Sequence, residues 1–363
     1  MVDTTQTSPL PQAQPERPPL WTRIRETYFD GPLNIGITLA VVLLFMLVVP
    51  PFFRWAVLDA VFTGTPDLCE QATGACWLPV ADRAQLFVYG FFPEGQTWRV
   101  NLVFLASFLT LPILVWKKVS MRMKLIYSVF ILPILTFVLL YGGVLGLERV
   151  SSNNFGGLVI TVFLGLIGSI LSLPIGILLA LGRRSEMPTF RLFCVFVIEV
   201  LRAMPMITWL FMAVLILQLF LPAGAEFDKM VRVVIILVLV SAAGKAEIIK
   251  AGLQAIPAGQ HEAAAALGVG YWRTTIFIIM PQVLKISIPA LLNSFIGLFK
   301  DTSLVAIIGL LDFLAVGIAT MDSDQWGRYP VEVYLFVAAV YFVILFTISR
   351  FSLTLERQLK TDH

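Results

Sequence analysis

The sequence predicts an all-α polytopic membrane protein with about eight transmembrane helices. Of its 363 residues, 58% are hydrophobic and only 13% are charged, whereas soluble domains carry about 25% charged residues. The mean hydropathy is +0.87. Apolar runs near the length of about 20 residues that crosses a bilayer recur from residue 33 onward.

Eight candidate spans follow a polar N-terminal segment. Residues 1–32 carry five prolines before Trp21 and cannot bury enough apolar surface to fold, so a disordered cytoplasmic tail is predicted there. The next apolar run is too long for a secretory signal and lacks a cleavage site, so we interpret it as an uncleaved helix. The spans are 33–53, 100–116, 125–147, 155–181, 203–221, 231–250, 285–311 and 331–350.

The distribution of basic residues predicts the orientation. With a cytoplasmic N-terminus, 17 of the 26 Lys and Arg residues fall inside and 8 outside, and Arg202 is left unassigned. Cytoplasmic segments of membrane proteins carry an excess of Lys and Arg. Both termini are therefore expected in the cytoplasm.

The chain divides into an N-terminal extension and a larger second block. Residues 33–150 hold three spans and an external loop at 54–99, and residues 151–363 hold five spans. Cys69 and Cys76 lie in the external loop. In an oxidising compartment they could form a disulfide, and the alternative is two unpaired thiols in a small packed cap. We see no internal repeat of the kind found in secondary carriers with duplicated halves.

A short Ala-rich segment between two spans is the most informative feature. It runs from Glu262-Ala263-Ala264 through Gly268 to Ile278-x-Met280-Pro281. Such a helix is too short to span a bilayer, and the orientation places it in the cytoplasm. Its small residues form a smooth surface beside one carboxylate, which suits a docking site. The alternative is an ordinary solvated Glu262 favoured by the helix dipole.

Three further motifs, together with this segment, carry a family resemblance. Residues 246–253 (AEIIKAGL) resemble A-E-I-x-R-G-G-I, 198–205 (IEVLRAMP) resemble I-E-x-x-R-G-T-P, and 300–305 match K-D-T-S-L-V. This order is similar to that of permease subunits of ABC importers for polar amino acids, whose EAA loop rests on an ATPase. The three extra helices resemble the longer permease of general L-amino-acid importers. The sequence departs from the family pattern at Gly244, Lys250, Ala251 and Met280.

The resemblance implies a five-helix type I permease core at 151–363 with a cytoplasmic coupling loop at 251–283. It assigns ATPase coupling to one set of residues: Gly259, Gln260, Glu262, Ala263, Ala264, Gly268 and Pro281. It also implies a translocation pathway or gate near a second set: Glu199, Arg202, Pro205, Glu247, Asp301, Thr302 and Ser303.

Two of the gate assignments have structural alternatives. Glu199 and Arg202 are three residues apart and share a helical face, so they could simply pair with each other at a helix end. Lys300 and Asp301 interrupt an apolar run, which favours either a broken helix lining a cavity or a turn at the external surface.

The sequence contains no catalytic or cofactor motif of its own. Gly244-Lys245 lacks the first Gly and the Ser or Thr of a phosphate-binding loop, and two histidines cannot build a metal site. The resemblance therefore implies that ATP and Mg²⁺ bind to a separate ATPase dimer. It also implies a second permease chain, with a heterodimer favoured, a periplasmic amino-acid-binding protein, an amino-acid substrate and a bacterial inner membrane with its lipid. The net charge of +3 is too small to indicate nucleic acid.

Two other functions compete with the importer. A stand-alone secondary carrier or channel would need paired ionisable residues at the bilayer midplane and no docking loop. A membrane-embedded enzyme would need a catalytic constellation that the sequence does not show.

Overall fold

The computed structural model describes residues 19–116, 118–220, 222 and 227–360, and the chain divides into two compact units, Met1–Cys76 and Trp77–His363. Residues 1–18 of the predicted disordered tail lie outside the described part. Throughout the described part the secondary structure is helical, with two isolated β-bridges.

The first unit contains three helices. They are α1 (Leu20–Tyr28), α2 (Gly31–Phe53), which continues as a π-helical turn, and α3 (Pro66–Gln71). Helix α2 matches the first predicted span. The prediction of disorder up to residue 32 is wrong for α1, because Trp21, Ile24 and Tyr28 recur at helical spacing and give this segment one apolar side.

A disulfide closes the end of this unit. Cys69 of α3 and Cys76 are bonded, with their Cα atoms 5.5 Å apart, and both side chains are buried. The Ala75 amide donates a hydrogen bond of 2.8 Å to the Trp55 carbonyl of the π-helical turn. The disulfide segment is therefore fastened to the end of α2.

The second unit contains the remaining helices. The helices before the core are α4 (Leu78–Asp82), α5 (Ala84–Tyr89), α6 (Thr97–Val115), α7 (Met121–Ile126) and α8 (Leu132–Tyr141). The following ones are α9 (Gly157–Arg183), α10 (Pro188–Ala203), α11 (Met206–Phe211), α12 (Leu217–Leu219), α13 (Lys229–Gln254), α14 (Ala258–Ala266), α15 (Tyr271–Arg273), α16 (Met280–Asp301), α17 (Phe313–Met321) and α18 (Pro330–Lys360).

Within the described ranges, five helical stretches have the length and apolarity of a membrane span. They are Gly31–Leu58, Arg122–Tyr141, Gly157–Arg183, Tyr271–Ala306 and Pro330–Arg357, and the bent pair Pro188–Ala203 plus Met206–Leu219 makes a sixth. Helices α6, with 19 residues, and α13, with 26, are also long enough. Every 18-residue window of α13 carries at least three charged residues. All eight predicted regions are thus helical.

The structure differs from the prediction at several helix boundaries and in one additional helix. Residues 188–203, predicted as a cytoplasmic connection, form α10, and the helix predicted to start at 285 begins at Tyr271. Helix α17 was not predicted, and α18 extends ten residues beyond the predicted end at 350. Residues 188–203 were misassigned because Arg191, Glu199 and Arg202 lower the hydropathy of this segment without interrupting the helix.

Small residues on α9 let its neighbours approach closely. A Cβ atom on Gly176 would lie 2.9 Å from the Ala242 carbonyl oxygen of α13, and one on Gly165 would lie 2.6 Å from the Phe299 ring of α16. Without a hydrophobic force between helices in lipid, such close packing supplies most of the association energy. Helices α9, α13 and α16 therefore form the centre of the second unit.

The segment before α6 packs on the other end of this unit. Phe87 of α5 forms a buried cluster with Phe313 of α17 and with Val333 and Val337 of α18. Helices α6 and α8 contribute buried side chains to the same core as α9. The assignment of separate roles to residues 33–150 and 151–363 stays a prediction.

Candidate coupling and gate sites

Helix α14 presents most of the residues predicted to couple to an ATPase on one exposed surface. Gly259, Gln260, Glu262 and Ala263 are exposed, whereas Ala264 is 4% exposed and packs inward. Among the described residues Glu262 has no ion-pair partner. The helix therefore offers an outward carboxylate on a surface of small side chains.

A glycine ends α14 in a left-handed conformation. Gly268 has φ +69°, the Val269 amide donates to the Ala264 carbonyl at 3.0 Å, and the Gly268 amide donates to the Ala265 carbonyl at 2.9 Å. This is the Schellman arrangement, in which a glycine avoids the steric cost that a Cβ atom would meet. Gly268 thus fixes where the exposed helix stops, and Leu267 beside it is 81% exposed.

Pro281 lies in a membrane helix instead of in the predicted coupling loop. The helix runs without interruption from Tyr271, passes through a π-helical stretch at Thr274–Ile279, and continues as α16. Proline lacks the amide that would bond to the carbonyl four residues earlier, and the π-helical stretch precedes it directly. The neighbouring Gln282 donates to Gln260 at 3.4 Å, so this helix start still contacts α14.

Three of the predicted gate residues meet in one ion-pair cluster at the ends of α9, α10 and α13. Glu247 is its centre: it accepts hydrogen bonds from Arg183 and, at 3.1 Å, from Lys250, and it forms an ion pair with Arg202 at 3.7 Å. Glu199 accepts from Arg183 at 3.3 Å. The local pair expected between Glu199 and Arg202 is replaced by contacts that each makes with another helix.

The chain bends sharply at Pro205, next to this cluster. Helices α10 and α11 meet at 102°, and Met204 between them is extended, with φ −117° and ψ 148°. A residue before proline disfavours the helical conformation, so the Met204–Pro205 pair ends α10. The Trp209 indole donates to the freed Leu201 carbonyl at 3.1 Å and holds the corner.

Asp301, Thr302 and Ser303 belong to a different part of the molecule. The interruption predicted near Lys300–Asp301 falls at the end of α16, which stops at Asp301 and tightens into a 3₁₀ turn at Thr302–Ala306. The Thr302 hydroxyl donates to the Phe299 carbonyl and the Ser303 hydroxyl to the Lys300 carbonyl, both at 2.8 Å. These local bonds satisfy the hydroxyl groups within the helix. The structure describes no contact of this segment with the ion-pair cluster.

Sequence reasoning missed two participants. Arg183, which bridges two carboxylates, could have been found from its place at the end of an apolar span beside two acidic motifs. Asp312 is fully buried, accepts from the Ala315 amide at 2.9 Å and from the Tyr341 hydroxyl at 3.3 Å, and so ties α17 to α18. In the sequence, Asp312 was marked only as a single acidic residue between two apolar runs.

The matched region of the chain coincides with these sites. Residues 172–359 match the family of binding-protein-dependent transport system inner membrane components. This chain belongs to that family. The permease is therefore a multi-pass inner-membrane protein, and the Glu-Ala-Ala segment on α14 is typical of its family.

Relatives extend the similarity to most of the permease. It is 41% identical over 340 residues to the inner membrane amino-acid ABC transporter permease protein YhdY of Escherichia coli (strain K12), covering 93% of this chain and 92% of the relative. It is 37% identical over 408 residues to the glutamate/glutamine/aspartate/asparagine transport system permease protein BztC of Rhodobacter capsulatus, covering 94% of each.

A solved structure matches just over half of the chain. The crystal structure of an amino acid ABC transporter with histidines is 31% identical and superimposes with a TM-score of 0.50, covering 56% of this permease and 92% of that chain. The two sequence relatives therefore cover nearly the whole chain, whereas the solved structure covers 56% of it.

Proposed function

We propose that this permease carries polar amino acids across the inner membrane as one subunit of an ABC importer, and that α14 couples it to a separate ATPase dimer. The observation that carries the proposal is the exposed surface of α14, with Glu262 pointing outward from small residues. The relatives that cover nearly the whole chain are named as amino-acid permeases, which supports this substrate class.

The distribution of basic residues supports a cytoplasmic position for α14. The excess of Lys and Arg in the segments on the α14 side supports cytoplasmic termini, so α14 faces ATP. ATP and Mg²⁺ bind to the ATPase, and this chain holds no cofactor and performs no covalent chemistry.

Transport proceeds by alternating access. A periplasmic binding protein delivers the amino acid to the outer face, and closure of the ATPase dimer moves α14 together with the helices that it contacts. Two permease chains enclose the path, and we favour a heterodimer because of the N-terminal extension. The ion-pair cluster around Glu247 joins three core helices near the cytoplasmic side, where a gate must rearrange. The two states of the alternating-access cycle must be stabilised by different contacts, because closure of the ATPase dimer can shift the equilibrium between them only through such a difference.

A charge reversal tests the coupling role. We expect Glu262→Lys to release the ATPase during co-purification, or to abolish substrate-stimulated ATP hydrolysis and uptake. Glu186→Lys is the matched control, because Glu186 is exposed on the connection between α9 and α10 and outside α14.

Two results would contradict the proposal. One is equal behaviour of the two variants in both assays. The other is amino-acid transport by this chain alone in liposomes, unaffected by Glu262→Lys, which would identify a stand-alone carrier.

A further inference from the structure

A small cavity lies behind the coupling helix, on the side opposite its exposed surface. It has a volume of about 200 Å³ and lies among four helical segments: the end of α9, α13, α14 and the start of the helix that leads into α16. Its lining includes the apolar Leu181 and Leu253 and the polar Arg184, His261, Tyr271 and Thr275. His261 of α14 therefore faces this cavity.

The polar groups around the cavity are suited to an anion. Arg184 contributes a guanidinium group, His261 an imidazole ring, and Tyr271 and Thr275 hydroxyl groups. No carboxylate lines the cavity within the part of the chain that the structure describes, and no described acid pairs with Arg184. Arginine binds phosphate oxygens through two parallel hydrogen bonds. A zwitterionic amino acid would find no described carboxylate there to neutralise its ammonium group.

The surroundings of the cavity are those of a membrane interface. Arg184 follows the last residue of α9, a 27-residue membrane helix. Beyond Tyr271, Trp272 is 63% exposed and Phe277 is 71% exposed, and aromatic residues of this kind concentrate at the level of the lipid headgroups. A cavity of this volume admits a headgroup and is too small for a whole amphiphile.

We propose that the cavity binds the phosphate group of an anionic phospholipid headgroup, with the acyl chains lying outside along Trp272 and Phe277. The headgroup fills the space between α14 and the ends of α9 and α13. Bound lipid thereby supports the coupling helix from its membrane side, and the strength of coupling depends on the anionic lipid content of the membrane.

Lipid retention by the purified full-length chain tests this inference without requiring transport. The chain is placed in nanodiscs of phosphatidylcholine with increasing phosphatidylglycerol, and retained lipid is measured by native mass spectrometry. We expect the double variant Arg184→Gln/His261→Gln to weaken phosphatidylglycerol retention. Loss of the Arg184 charge alone should account for a decrease of about fivefold. The matched control is Arg191→Gln, which removes an exposed charge from α10 and should leave retention near the wild-type level.

Each alternative has its own outcome. An equal loss of phosphatidylglycerol retention in the control and in the double variant would show that the lipid is held by the general positive charge of the surface, and this result would overturn the proposed site. Displacement of the retained lipid by millimolar inorganic phosphate would overturn the lipid assignment in favour of a free anion. If the double variant unfolds in pure phosphatidylcholine, Tyr271→Phe replaces it, because this change removes one exposed donor, and unchanged retention in that variant would also overturn the inference.

Discussion

Replacing Glu247 by glutamine should destabilise the permease more than the same change at any other carboxylate of the ion-pair cluster. The Glu247 side chain is 25% exposed and faces Arg183 and Lys250, which are 23% and 29% exposed. Exposed ion pairs contribute about 0–1 kcal/mol, and loss of one partner from a buried pair costs about 3–5 kcal/mol. Because the exposure of this cluster lies between that of a surface pair and that of a buried pair, we expect Glu247→Gln to lower the free energy of unfolding by about 2 kcal/mol.

The matched comparison is Glu199→Gln. Glu199 is 54% exposed and accepts from Arg183 alone, so its loss should cost at most about 1 kcal/mol. Equilibrium unfolding of the full chain in mixed micelles measures both values. A double-mutant cycle with Arg183→Gln should give a coupling energy of about 1 kcal/mol with Glu247. The reasoning is refuted if Glu247→Gln unfolds like wild type, or if Glu199→Gln costs as much.

Three other substitutions test local features of the fold. Gly176→Val should separate α9 from α13 and lower stability by more than about 2 kcal/mol through overpacking, whereas Gly244→Val, where a Cβ atom meets nothing within 4 Å, should fold normally in a thermal-unfolding assay. Gly268→Ala should cost about 1–2 kcal/mol of strain in the left-handed conformation and reduce ATPase coupling, and coupling at the wild-type level would exclude a role for that helix end. Cys69→Ser should lower the stability of the first unit by about 2–3 kcal/mol, as expected for loss of a disulfide that closes a loop with a sequence separation of 7. A reductant should remove the difference in stability between variant and wild type. Equal stability of the two in oxidising buffer would argue against the Cys69–Cys76 bond.

Much of the fold could be predicted from the sequence because a membrane restricts the alternatives. A bilayer admits only helices with satisfied backbone groups or closed barrels, so apolar runs predicted helical segments in all eight regions. The Glu-Ala-Ala spacing and three flanking motifs predicted the family.

Which residues meet in the ion-pair cluster was decided by tertiary packing. Glu199 and Arg202 are neighbours on one helix, and local spacing predicted that they pair with each other. Their actual partners, Arg183 and Glu247, lie 16 and 45 residues away in sequence, and no local pattern encodes such distances. Lys300 and Asp301 mark the end of α16, and only the structure shows that the Thr302 and Ser303 hydroxyl groups bond to the last carbonyls of that helix.

What the sequence by itself determined is the class of protein, the approximate spans and the presence of a short helix between two of them. These follow from local composition, which the lipid and the cytoplasm act on directly. Only the tertiary structure decided which charges meet around Glu247, that Asp312 is buried against Tyr341, and that a cavity with Arg184 and His261 lies behind α14. Those features depend on how α9, α13 and their neighbours cross, and the crossing is set by close packing at glycines such as Gly165 and Gly176.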